Sequence, residues 1–249
     1  MLPRRARIAA VTLAAVASCG ALYARRAGRA ERAAIEASAL AASTARGDLV
    51  LRVPHLAGSI TLDGDTDDPG WLNPPGPART GPFRLDDGAP TRPYSEARIV
   101  WGGDYLYLAL YASDEDIEAH TVEHDGPVAD EDAFQLVFSR AGAEYGIDVS
   151  PRGIVRDAAR RRGGGWDGSW ESEAHVSVEI DGTIDAANNL DEEWELEVAI
   201  PFASLGMRGE PGENIGFAVR RCDTPKGAPR VCAGWGLGPG ERRGRLVLE

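Results

Sequence analysis

The stretch "HTVEH", His120 to His124, sets two imidazoles four residues apart with a carboxylate beside the second. On a helix this H-x-x-E-H spacing lets both rings reach one zinc ion while the glutamate acts on a bound water. Ser113 would cap such a helix and Gly126 would stop it, but the β-branched pair Thr121 and Val122 favours extended chain. In a strand the two rings share a face yet stand too far apart for a single ion. The segment is therefore read as extended and without zinc.

Acids cluster at "DGDTDD", Asp63 to Asp68, and at "ADED", Ala129 to Asp132. The first lacks the glycine and the distal glutamate that shape an EF-hand loop. Its plainer role is an Asp-rich turn capping its own backbone, with a structural calcium ion as the one cofactor left open. Glycoside hydrolysis needs two opposed carboxylates, and no such pair stands out among the many acids. A haem would need axial Met, His or Lys ligands, for which Met207 and the scattered histidines are a thin supply.

Trp166 and Trp170 lie in "RRRGGGWDGSW", a glycine-rich surface loop. Their rings could stack on a saccharide, whose C–H surface suits an aromatic face. Against that, a large aromatic beside a strand is usually buried: the alternative has Trp170 packed on the sandwich edge and Trp166 structural or disordered, and Trp71 and Trp101 are read as core or edge packing. Cys222 and Cys232 end "IGFAVRRC" and sit in "RVCAGWG", two strand-like runs joined by a turn-rich loop. Antiparallel pairing would bring them within reach of a disulfide, which an oxidising compartment would preserve.

The elements that must position these residues are strands. "DLVLRV", "SITLDG", "ARIVWGGDYLYLALYASD", "AFQLVFSRAGAEYGIDVS", "EAHVSVEI", "EWELEVAIP", "IGFAVRRC", "RVCAGWG" and "GRLVLE" alternate apolar and polar residues between polar turns. "GGD" and "RAGA" read as hairpin turns. No helical pattern of ordinary length interrupts them, so the fold class is all-β, an antiparallel β-sandwich or jelly roll. In "EWELEVAIPFASLG", Trp194, Leu196, Val198 and Ile200 share the core face, and Glu195 and Glu197 fall on the other, expected to be solvated. Pro201 has no amide proton and ends the ladder; Phe202 and Leu205 fold back as a plug.

The formal net charge is -12, with 27 Lys and Arg against 39 Asp and Glu. Such a surface repels phosphate backbones and excludes nucleic acid as a partner. Arginines nevertheless crowd the first residues. Arg4, Arg5 and Arg7 precede the apolar run Ile8 to Ser18, an export-signal order, and "VASC", Val16 to Cys19, resembles a bacterial lipobox with Cys19 as the lipid-bearing residue. Residues 1–24 are read as this signal, or as an uncleaved signal anchor, since apolar residues run on to Ala24; a cleaved secretory signal is the third reading. Residues 25–48, rich in Ala, Arg and Glu, form a tether, and 49–249 the sandwich. Every reading places the sandwich outside the cytoplasm, membrane-anchored at the cell envelope in the first two.

An ordered set of motifs carries a family resemblance. "ITLDGDTDDPGW", "ARIVWGGDYLYLALYASDEDI", "DEDAFQLVFS", "YGIDVSPRGIVRD", "WDGSWE", "WELEVAIPFASLG" with "PGENIGFAVRR", and "GRLVLE" together resemble carbohydrate-binding module family 9 and its DOMON-like relatives, over residues 49–249. The resemblance implies a non-catalytic module that often accompanies glycoside hydrolases, with calcium in some members. In sugar-binding members two tryptophans sandwich a terminal sugar. Their places fall here at Ala129 and in the loop "GPGER", neither aromatic. The family's polar contacts fall at Gln135 and Asp148. Gln135, Asp148, Trp166 and Trp170 are thus the expected sugar-binding residues. The expected function is binding of an oligosaccharide or envelope glycan, in support of carbohydrate catabolism. The alternative is a cell-surface scaffold that uses the same sandwich to hold a protein partner.

Overall fold

The computed structural model describes residues 49–91, 93–186, 190–237 and 243–249. The proposed signal, Cys19, the tether and the loop "GPGER" lie outside the described residues.

The alternating runs become two packed sheets. The larger holds β1 (Val50–Val53), β12 (Gly244–Leu248), β10 (Asn214–Asp223), β5 (Ala133–Arg140), β6 (Ala143–Val149) and β7 (Val155–Arg161) in that spatial order, with β11 (Val231–Trp235) also paired to β10. The smaller runs β2 (Ala78–Arg79), β3 (Ser95–Gly102), β4 (Tyr105–Ser113), β9 (Glu193–Pro201), β8 (His175–Asp181). Pairing is antiparallel except between β1 and β12, which run parallel. The all-β sandwich follows from the period of two in these runs: one face of each sheet is apolar and must cover the other. Phe134, Leu136 and Phe138 from β5 meet Trp194, Leu196, Val198 and Ile200 from β9 in one core. Phe202, Leu205 and Met207 close its end as the buried plug. Met207 is thus core packing.

"GGD" and "RAGA" form the β3–β4 and β5–β6 turns, the latter with Ala141 and Gly142 both at positive φ, as a type I′ turn requires. "SITLDG" is not a strand. It crosses the outside of the smaller sheet with α1 (Pro69–Leu72), the one α-helix among the described residues.

That crossing overturns the solvated face expected for β9. Glu197 is fully buried and Glu195 nearly so. Trp71 from α1 donates its indole N–H to Glu197 Oε1 at 2.7 Å, and the amides of Asp63 and Gly64 donate to Oε2, each at 3.0 Å. Burial pushes the Glu197 carboxyl up, while the indole and the two amides pull it back. Charge in the pattern marks a buried anchor here, because a covering segment supplies the donors that a buried carboxylate needs.

Candidate functional site

The outward face of the larger sheet gathers polar side chains into rows. Strand register sets Arg220 of β10, Gln135 of β5, Asp148 of β6 and Arg156 of β7 side by side. Arg220 donates to Gln135 Oε1 through Nε at 2.9 Å and Nη2 at 2.5 Å. Arg156 donates to Asp148 Oδ2 at 3.1 Å. Burial pushes the Asp148 carboxyl up, and Arg156 followed by Arg220 draws it down. Two residues along, the same face carries Ala218, Val137, Gly146 and Ala158 in register. Beyond them come Gly216, Ser139, Glu144 and Arg160, with Glu144 held by Arg160 and by Arg243. A floor of small side chains thus runs between two polar rows roughly 13 Å apart, four residues along a strand.

Trp166 lies on this floor. Backbone bonds between Ala159 and Asp167, at 3.1 and 2.7 Å, fold the loop after β7 back against the strand. The Cη2–Cζ3 edge of the indole then reaches Gly146, where even a methyl group would meet it at 3.4 Å. The Arg160 guanidinium sits 4.7 Å from the ring centroid, and 47% of the residue is exposed. At the far side of the face the exposed Leu237 covers Gly234, the neighbour of Arg220.

Solved structures of the same architecture exist. A proposed carbohydrate-binding protein from Bacteroides uniformis superposes with a TM-score of 0.63 at 16% identity, over 80% of this chain and 99% of that one. A carbohydrate-binding module family 9 protein from Caldicellulosiruptor kristjanssonii in complex with cellotriose gives 0.55 at 16% identity, over 80% and 93%. The same kind of module in complex with glucose gives 0.53 at 16% identity, over 80% and 95%. This chain has the family 9 module fold. No protein-family model matches it, and no curated protein does.

On this family 9 fold, Gln135, Asp148 and Trp166 share one face. Trp170 does not join them. It is half-buried against the inward-facing Tyr145, ring centroids 5.1 Å apart, and packs on the core. The geometric reason is the tight turn through Asp167 to Ser169, closed by the Asp167 carboxylate on the Ser169 amide at 3.0 Å, which sends the two indoles to opposite sides of the edge. Ala129 lies in a 3-10 turn, Val128–Asp130, and its carbonyl accepts from Arg230 at 2.8 Å. The Cys222–Cys232 disulfide joins directly opposed residues of β10 and β11, Cα atoms 4.1 Å apart. Cys222 Sγ stands 3.8 Å from Gln135 Oε1, so the bridge flanks the polar row beside Gln135. Sequence reasoning missed Arg220, Arg156, Arg160 and Leu237. Arg220 and Arg156 come beside Gln135 and Asp148, and Arg160 beside Glu144, only through strand register, and Leu237 reaches the face only through packing, so the local sequence carries no signal for them.

The other chemistries take definite forms. Residues 114–127 are irregular, with no helix. His120 pairs with Asp185 at 3.0 Å and His124 with Glu171 at 3.2 Å, so the two rings serve different partners and do not form a protease-type zinc site. In "DGDTDD" the carboxylates of Asp63 and Asp68 accept local amides, from Asp65 and Thr61. Asp132 from "ADED" lies in a buried group with Asp114 and Asp223. Arg221 supplies countercharge there, bonding Asp114 at 2.8 Å and Asp223 at 2.9 Å. Asp132 accepts the amides of Glu118 and Thr224, and burial pushes its carboxyl up to about 7.

Proposed function

We propose that this chain is a non-catalytic carbohydrate-binding module held at the cell envelope, and that it takes an oligosaccharide or envelope glycan on the outward face of the larger sheet. The observation that carries the reading is Trp166 set against Gly146, beside the Arg220–Gln135–Asp148–Arg156 row. An aromatic platform next to fixed donors and acceptors is what sugar recognition requires: the ring takes the C–H surface and the polar row takes the hydroxyls. The neighbours of the same fold, described with cellotriose and glucose, support the substrate class. Against hydrolysis at this face, its two carboxylates, Asp148 and Glu144, stand on one strand about 13 Å apart, beyond the spacing either glycosidase geometry uses. Display at the envelope rests on the basic-apolar run ending in "VASC" and on a disulfide suited to an oxidising compartment. Ala129 in the place of a stacking tryptophan favours a second reading, a surface scaffold that docks a protein on this face.

A glycan-array screen followed by calorimetry separates the two. The full chain binds at least one oligosaccharide class, and Trp166→Ala weakens that binding about tenfold, the equivalent of one stacking contact. No glycan bound by folded protein, or equal binding by Trp166→Ala, refutes the sugar reading.

A further inference from the structure

Behind β7, on the side turned away from the candidate sugar face, three segments converge. The turn around His124 is held to the strand by Asp125 N–H to Val155 O at 3.0 Å and by Asp157 N–H to Asp125 Oδ1 at 3.3 Å. The segment following the Trp166 loop arrives with Glu171 and Ser172, and Ser172 N–H donates to Asp157 Oδ2 at 2.8 Å. Between them lies a cleft of about 220 Å³ lined by His124, Val155, Asp157, Glu171, Ser172 and Ala174, among others.

Asp157 is the anomaly of this cleft. It is only 3% exposed, one oxygen is satisfied by Ser172, and the other, Oδ1, is buried without a hydrogen-bond partner among the described residues. A buried carboxylate oxygen with nothing to accept from is costly. Its surroundings are acidic. His124, Asp157 and Glu171 each bring a ligand atom within 4.8 Å of the other two, and Asp125 Oδ2 is 3.7 Å from His124 Nε2. A cation in the cleft would give Asp157 Oδ1 a partner and offset the clustered carboxylates at once.

We propose that His124, Asp157 and Glu171 bind a first-row divalent transition cation of the zinc class, with water completing the coordination. Two donors of a tetrahedral ion with bonds of about 2.0–2.1 Å lie about 3.3 Å apart, and His124 Nε2 stands 3.2 Å from Glu171 Oε2. An imidazole with two carboxylates is a zinc-type donor set; calcium prefers six to eight oxygens and magnesium a largely hydrated octahedron. The ion would tie the segment that follows the Trp166 loop to β7 and to the 123–126 turn. It is a different site from the H-x-x-E-H pattern, sharing only His124 with it.

The test uses the untagged full chain, stripped with a chelator and titrated calorimetrically with Zn²⁺ and, separately, Ca²⁺. Wild type binds one zinc per chain and prefers it to calcium. His124→Ala and Asp157→Asn each lower zinc affinity at least about tenfold, by analogy with the smaller losses seen when supporting residues of metal sites are changed. His120→Ala changes nothing. Asn at 157 keeps an oxygen for the Ser172 amide, and far-UV circular dichroism checks the fold. If that variant fails to fold, His124→Ala decides alone, since this side chain is 56% exposed. Absence of zinc binding by wild type, zinc affinity unchanged in His124→Ala, or a preference for calcium overturns the proposal.

Discussion

Truncating Glu197 to alanine removes the acceptor for three donors: the Trp71 indole N–H and the amides of Asp63 and Gly64. Trp71 and Gly64 are buried, whereas Asp63 is exposed enough for water to replace its bond. Two stranded buried donors cost about 1–3 kcal/mol each, and relief from burying a carboxylate returns part of that. A net loss of about 3 kcal/mol is expected, enough to lower Tm by roughly 6–12 °C in a domain of this size. Glu197→Gln keeps the volume but points its amide N–H₂ at either the indole or the backbone amides, for a loss of about 1–2 kcal/mol. Trp71→Phe removes the indole donor. Combining it with Glu197→Gln should therefore cost less than the sum of the single changes, by about 1 kcal/mol. Urea denaturation followed by far-UV circular dichroism measures wild type and the four variants. A loss below about 0.5 kcal/mol for Glu197→Ala, within the range of ordinary surface changes, or strict additivity in the cycle, would refute the anchoring role.

The buried Asp132, with its carboxyl near pH 7, makes stability fall as pH rises. Between about pH 4 and 7 the folded protein keeps a proton that the unfolded chain has released, so the native state is favoured toward the acid end of that window. Asp223, raised to about 6, acts in the same direction. Thermal melts from pH 5 to 8 should show Tm declining, and Asp132→Asn should flatten the decline; a Tm that climbs over this range contradicts the reading. Reducing Cys222–Cys232, which closes a loop with a sequence separation of 10, should cost about 2–3 kcal/mol by loop entropy; recovery of both thiols alkylated from unreduced native protein would show the bridge is not made. Mass spectrometry of membrane-extracted protein should find a lipid-modified N-terminal Cys19, and an intact Met1 would support the signal anchor instead.

The alternation in "AFQLVFS" and "WELEVAI" set which residues face the core, because a strand has a period of two and the apolar members have nowhere else to go. The turn residues of "RAGA" and the cysteines flanking the β10–β11 loop were local signals of the same kind: φ preference and chain reach act over a few residues. Gln135 and Asp148 were named through the family resemblance, and the order of weak motifs pointed to the fold they belong to. What surrounds those positions was not legible. Arg220 and Arg156 come from strands distant in sequence and join the row only through register. Trp170 packs at the sandwich edge, as its place beside a strand suggested, and a single Asp turn is what puts Trp166 at Gly146 instead of against Tyr145 with it. Glu197 reads as a surface charge until α1 and the Asp63–Gly64 turn cover it. Asp157 lies in a run that alternation did not mark as a strand, and only the turn at His124 and the segment at Glu171 closing over it make it a buried acid. Sequence pattern decides which way a side chain leaves its own strand; only the packing of distant segments decides what it meets there, and for a polar group that meeting sets charge, burial and chemistry.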